Sequence, residues 1–148
     1  MKAPNWQYFD LDEYKQRLRS LRQRMEAKGV DAMLINTPEN LYYMTGYQTP
    51  GYYWWQSVVV PMDQDPVSIT RLVEDSNMRE LGWLEDRRPY QDYENWVEKT
   101  RDVLVDLGLQ TATIGMEFGG FFLPVRDYLE LKALMPEANF VDLSLIHI

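Results

Sequence analysis

The chain has no cysteine and a single histidine. Without cysteine there can be no disulfide, no thiolate nucleophile and no sulfur-ligated metal. The histidine is His147, the last residue but one. Chain ends are rarely held firmly enough to aim an imidazole at a triad serine or a metal. No run of about 18 apolar residues occurs, so no membrane-spanning helix is expected. The first residues, Met1-Lys2-Ala3-Pro4-Asn5-Trp6, lack the apolar centre of a signal peptide. A cytoplasmic location is the expectation. Phosphate loops are missing too: Gly115-Met116-Glu117-Phe118-Gly119-Gly120 has neither the GxGxxG spacing nor a Lys-Ser/Thr ending. Gly119-Gly120 reads instead as a strand-to-helix connector.

What is present is an ordinary globular composition, 45% apolar and 26% charged over 148 residues, enough for one domain with a real core. The net charge of −8 opposes binding to nucleic acid or anionic membrane. The 23 acidic residues show no recognisable metal-ligand spacing. Basic residues gather at Lys15, Arg17, Arg19, Arg22, Arg24 and Lys28. They surround the apolar stripe Tyr14, Leu18, Leu21, Met25, the pattern of a solvated helix packed on a core. An interface with an acidic partner is the rival explanation.

In order, the pattern predicts an extended lead-in over 1–10, pinned by Trp6, Tyr8 and Phe9, and a helix over 11–28 with Asp10 or Asp12 placed to cap it. A strand over 32–36 and a short helix over 38–45 follow. A hairpin comes next, with arms 57–61 and 67–72, then a helix over 76–83 and an edge strand within 87–93. A helix over 94–107 turns Trp96, Thr100, Val103 and Leu107 inward. A strand over 111–118 alternates Ala112, Ile114, Met116 and Phe118. The last helix, over 123–135, has Val125, Tyr128, Leu131 and Met135 inward, and a strand over 139–143 closes the series. The fold class is therefore α/β, a mixed sheet flanked by helices.

The richest local chemistry lies in 29–62. Thr37 stands where a helix N-cap belongs, with a hydroxyl able to accept from the first turn. Pro38 occupies the first helical position, Glu39 puts negative charge at the positive end, and Gly46 supplies the left-handed stop. The segment beyond is aromatic: Tyr47, Tyr52, Tyr53, Trp54 and Trp55, interrupted by Pro50-Gly51. So many rings cannot all enter one core from such a loop. An interface or a ligand wall competes with packing on the sheet edge.

Gly29-Val30-Asp31-Ala32 and Thr37-Pro38-Glu39-Asn40-Leu41-Tyr42-Tyr43-Met44-Thr45-Gly46-Tyr47 resemble the N-terminal domain of the creatinase/prolidase, or "pita-bread", metallohydrolases. Ile114-Gly115-Met116-Glu117 and Leu134-Met135-Pro136-Glu137-Ala138-Asn139-Phe140-Val141-Asp142 resemble that family's later motifs in the same order. The resemblance implies a ribonuclease-H-like domain over 1–143 that is itself non-catalytic. The divalent metal (Mn, Zn or Co) would belong to a C-terminal catalytic domain absent from this sequence, and residues 144–148 would be a truncated or non-native tail. It further implies a homodimer, with its own catalytic domain as partner and no nucleic acid or membrane. Residues Tyr47, Tyr52, Tyr53, Trp54 and Trp55 would gate an active site or form an interface. No arginine lies between 46 and 55, where creatinase-like members carry one. The aromatic wall suits an apolar, proline-like or cyclic substrate. The parent would be a hydrolase similar to Xaa-Pro peptidases, creatinase and ectoine hydrolase. Two alternatives compete: a stand-alone protein-binding module using the loop 47–55, and a nuclease, which would need several carboxylates converging on one sheet face.

Overall fold

The computed structural model describes residues 8–143. Trp6 of the lead-in, His147 and the 144–148 tail lie outside them. Helix α1 (Leu11–Ala27) is followed by β1 (Ala32–Ile35), α2 (Pro38–Thr45), β2 (Ser57–Pro61) and β3 (Val67–Ile69). Then come α3 (Leu72–Leu81), β4 (Asp86–Arg87), α4 (Trp96–Asp106), β5 (Thr113–Met116), α5 (Val125–Leu134) and β6 (Asn139–Asp142). The strands form one six-stranded sheet in the order β4-β3-β2-β1-β5-β6. The predicted hairpin is present, with β2 antiparallel to both β1 and β3. Strand β5 runs parallel to β1 and to β6, and β4 runs parallel to β3. The class is the mixed α/β sheet expected.

Strand β1 shows why its run is wholly apolar. Met33 and Ile35 face one layer of helices, and Ala32 and Leu34 face the other. Side chains alternate across a strand, so a strand covered on both faces needs apolar residues throughout. The first layer holds α1, α2 and α3, through Tyr14, Leu21, Met25, Leu41, Met44 and Met78. The second holds α4 and α5, through Val97, Val103, Leu104 and Leu131. Each such side chain, fully buried, contributes about 2 kcal/mol.

Several boundaries and faces differ from the sequence expectation. Leu72 opens α3, four residues ahead of the expected start, rather than ending the hairpin arm, and it and Val73 are exposed. The carbonyl of Arg71 accepts from Glu74 N and Asp75 N, and those two acids lie in the first turn, where the helix dipole favours them. In α4 the buried set is Val97, Thr100, Val103 and Leu104. Trp96 and Leu107 are only half-buried. Asn95 caps α4 by accepting from Val97 N and Glu98 N. In α5, Val125 faces solvent and Asp127 is buried in its stead. Phe118 lies beyond β5 and is partly exposed. Asp10 occupies the N-cap of α1 without a side-chain bond. In the lead-in, Tyr8 is exposed while Phe9 packs on Tyr14. Of the basic face of α1, Arg17 is drawn onto the rings of Phe9 and Tyr43, and Arg22 Nε donates to the Pro61 carbonyl at 2.9 Å.

The N-terminus of α2 is anchored from an unexpected direction. The Thr37 side chain makes no capping bond. The carboxylate of Glu117, just beyond β5, instead holds the two backbone N–H groups that lead into the helix and the Asn40 amide of its first turn. Its Oε2 accepts from Asn36 N at 2.9 Å and Thr37 N at 2.8 Å, and its Oε1 accepts from Asn40 Nδ2. Glu117 is 3% exposed. The β1–α2 turn and the end of β5 are thus joined by one buried anion at the positive end of a helix.

Gly46 closes α2 at φ +81°, and a Cβ there would stand 2.7 Å from Tyr14 Oη and 3.0 Å from the Leu81 carbonyl. Gly29 has φ +66° with open space around it. Gly29→Ala therefore incurs only the left-handed backbone cost of about 1–2 kcal/mol, whereas Gly46→Ala adds overpacking of about 1–3 kcal/mol. Urea unfolding midpoints in that order check the assignment. Glu117→Ala strands two backbone donors and is expected to cost at least about 3 kcal/mol. Glu117→Gln is milder, about 1–2 kcal/mol, because Asn40 can rotate its amide to accept from the new NH2 group. Equal losses in the two variants would refute the anchoring role.

Candidate functional site: an aromatic groove at the sheet crossover

Strands β1 and β5 are parallel neighbours whose following helices leave toward opposite faces, α2 to one layer and α5 to the other. Such a divergence opens a crevice beyond the carboxyl ends of the strands, where open α/β sheets place their ligands. In this chain the crevice is a groove of about 420 Å³. Its walls come from the loop after α2 (Tyr52, Tyr53, Trp54, Trp55, Gln56), the loop after β5 (Phe121, Phe122, Pro124) and the starts of α4 and α5 (Trp96, Arg126, Asp127), with Asn36 beyond β1.

The five loop aromatics singled out from sequence divide. Tyr52, Tyr53 and Trp54 are 50%, 75% and 40% exposed and form a surface. Tyr47 is 1% exposed and belongs to the core with α1 and α2. Burial raises its hydroxyl pKa well above the ordinary value, so it serves as a neutral core ring. Its direct exposure in a gate or interface is therefore corrected: it follows Gly46, whose turn points the chain inward. Trp55 is also buried, yet it lines the groove from beneath. Its backbone carbonyl accepts from Tyr90 Oη at 2.6 Å.

The loop is held by polar contacts rather than left free. Thr49 Oγ1 donates to Glu74 of α3 and accepts from Gly51 N at 2.9 Å. Asn77 Nδ2 also donates to Glu74, at 3.0 Å. Trp54 lies against the Arg71 guanidinium, 4.4 Å from its ring centre. Arg71 is gripped by Asp92 through Nε–Oδ1 at 2.5 Å and Nη2–Oδ2 at 2.6 Å. Tyr52 meets Phe122 edge-on at 6.2 Å between centres. Rings fixed in this way lose little entropy when they bind something.

Sequence reasoning missed Phe121, Phe122, Trp96, Arg126 and Asp127. Phe121, 97% exposed, and Phe122 follow Gly119-Gly120, and two adjacent rings after a glycine turn were a usable signal. Asp127 had none, because a lone acid near a helix start carries no sign of burial. It is 2% exposed and accepts from Trp96 Nε1 at 2.9 Å and Arg126 Nε at 3.0 Å. Among the described residues no group of three or more His, Cys, Asp or Glu side chains is arranged to hold a metal. The groove's own carboxylate is engaged by Trp96 and Arg126.

The hydrogen bond from Arg71 holds Asp92 below its ordinary value of 3.8. A depressed carboxylate contributes above its unfolded value and loses that contribution as pH falls through the folded one. Protonating Asp92 should release Arg71 from its seat on Trp54. Asp92→Asn is therefore expected to move the Trp54 indole N–H resonance at neutral pH and leave that of Trp83 in place. Lowering the pH of the parent chain well below 3.8 should reproduce the move, with no such change in the variant.

The model of the Creatinase/Prolidase N-terminal domain matches residues 17–147. An uncharacterized hydrolase/peptidase of Sinorhizobium fredii is 29% identical over 148 residues, covering 94% of this chain and 38% of that protein. The ectoine hydrolase of Halomonas elongata is 24% identical over 143 residues, covering 90% of this chain and 36% of that protein. The chain thus spans less than two-fifths of the length of these relatives. Among solved structures, the creatinase/prolidase N-terminal domain of an X-Pro dipeptidase from Streptococcus pyogenes superimposes with a TM-score of 0.73. It is 25% identical, with 86% of this chain and 93% of that one covered. A prolidase from Thermococcus sibiricus shares the fold alone, with a TM-score of 0.75, 17% identity, and 87% and 34% coverage. Motifs, sheet order and these matches agree: the chain belongs to the creatinase/prolidase N-terminal domain family.

Proposed function

We propose that this chain is the non-catalytic N-terminal domain of a metal-dependent hydrolase resembling Xaa-Pro peptidases and ectoine hydrolase. Its aromatic loop contributes to dimerisation and to gating an active site that a C-terminal catalytic domain supplies, with its divalent metal. The observation that carries this is the family match over 17–147, joined to a braced loop that exposes Tyr52, Tyr53 and Trp54. A cluster of rigid, solvent-facing rings is the usual anchor of a protein interface. The stand-alone binding module draws on the same exposed rings, so sequence in frame beyond residue 148 separates the two. A domain carrying an Asp/Asp/His/Glu/Glu ligand set supports the hydrolase.

The 148-residue chain should cleave no Xaa-Pro dipeptide when supplied with manganese or zinc. Metal-dependent turnover by this chain alone would overturn the assignment. Tyr53→Ala with Trp54→Ala, both at exposed positions, should weaken self-association in sedimentation equilibrium by at least about tenfold, the loss of a hot spot. An unchanged association constant removes the loop from the interface.

A further inference from the structure

Arg126 stands on the groove wall with its side chain 74% exposed, and among the described residues that line the groove it is the one cation. Its guanidinium is nevertheless held. Asp127 Oδ1 accepts from Arg126 Nε at 3.0 Å and lies 2.9 Å from Nη2. Asp127 is 2% exposed, and its Oδ2 accepts from Trp96 Nε1 at 2.9 Å. The Trp96 ring centre also lies 5.8 Å from the guanidinium carbon. An exposed arginine loses entropy when fixed in one geometry, and here a buried anion and an indole fix it in advance. A guanidinium is a planar fork of five N–H donors. Asp127 takes the edge made by Nε and Nη2. The edge made by Nη1 and the second hydrogen of Nη2 has no hydrogen bond among the described residues. Because Asp127 is buried and Arg126 is exposed, the bonded edge faces the protein and the other faces outward, within reach of a ligand.

We propose that the groove binds an aromatic carboxylate, its acid group paired with the outward edge of Arg126 and its ring among Tyr52, Tyr53 and Phe122. A planar carboxylate matches the fork with two parallel hydrogen bonds. Other head groups match less well. An ammonium meets only donors on that edge, and both oxygens of Asp127 are already engaged. A neutral amide can accept from the fork but lacks the charge that roughly doubles the strength of such a bond. A phosphate dianion adds more negative charge beside Asp127, in a chain of net charge −8. Tyr52 and Tyr53 are 50% and 75% exposed, and Tyr52 meets both Tyr53 and Phe122 edge-on. Ring faces and edges are thus offered to a ligand ring in fixed directions. A volume of about 420 Å³ is in the range of small-molecule sites. The site lies within this one chain and needs neither a catalytic domain nor a second copy.

Titration of the 15N-labelled 148-residue chain with phenylacetate, phenylacetamide and acetate tests the proposal. Phenylacetate should move the Arg126 Nε–H and Trp96 indole resonances saturably and bind at least about tenfold more tightly than the amide. Acetate, which lacks the ring, should leave both in place at the same concentration. Arg126→Gln, at an exposed position and so harmless to folding, should abolish the preference for acid over amide. Arg126→Lys keeps the charge without the fork and should restore little of it. A tripeptide ending in phenylalanine that binds as tightly as phenylacetate identifies the ligand as a chain terminus, and one that binds more weakly identifies it as a free acid. Equal affinities for acid and amide, a preference that survives Arg126→Gln, or acetate binding equal to that of phenylacetate overturns the proposal. No assembly or turnover enters the readout, so failure here leaves the dimerisation and gating role standing, and the reverse holds too.

Discussion

The fold turns on one buried carboxylate. Glu117 follows β5 and accepts from Asn36 N and Thr37 N at the mouth of α2, while Asn40 closes on its other oxygen. Three needs meet there. The turn into α2 leaves the backbone N–H groups of Asn36 and Thr37 without a backbone partner. A carboxylate at 3% exposure must be fully hydrogen-bonded to remain. And β1 must hold its register beside β5, with Leu34 opposite Met116, one residue before the bond. One anion meets all three, and the two central strands are locked at the end where their helices diverge.

The groove follows from that lock. With the β1–α2 and β5–α5 turns held together, the chain beyond each can only spread outward, one path carrying Tyr52 to Gln56 and the other Phe121 to Pro124. The first path is stiffened by Glu74 and by the Asp92–Arg71–Trp54 stack, the second by the contact of Phe122 with Tyr52. The polar base and aromatic rim therefore belong to loops while depending on strands for their position. Binding residues commonly sit in this way, on loops set by a rigid scaffold.

Much of this was legible beforehand, for identifiable reasons. The stripe Tyr14, Leu18, Leu21, Met25 is buried as read, because a long helix on a core enforces its 3.6-residue period. The hairpin was readable from Asp63-Gln64-Asp65-Pro66 between two β-branched runs. Misreadings fell where neighbours override local preference. Leu72 looks like the end of a strand, but β3 ends at Ile69 and the acids Glu74 and Asp75 favour a helix start. Val125 was read as core and is exposed, because α5 turns Asp127 inward to meet Trp96. Tyr47 and Trp55 could not be told from their exposed neighbours, since loop residues carry no periodicity.

The sequence by itself determined the α/β class and the element order, because periodicity, capping residues and glycine stops act over a few residues and survive without a partner, while the family lay in the likeness of its motifs to those of known members. Tertiary structure alone decided that Glu117, and not the Thr37 hydroxyl, anchors the start of α2, that Asp127 is buried, and which loop rings face outward. Those outcomes join groups distant in the chain, up to 81 residues apart for Asn36 and Glu117. No local signal encodes such a pairing. It is set by which strands lie side by side once the core has formed.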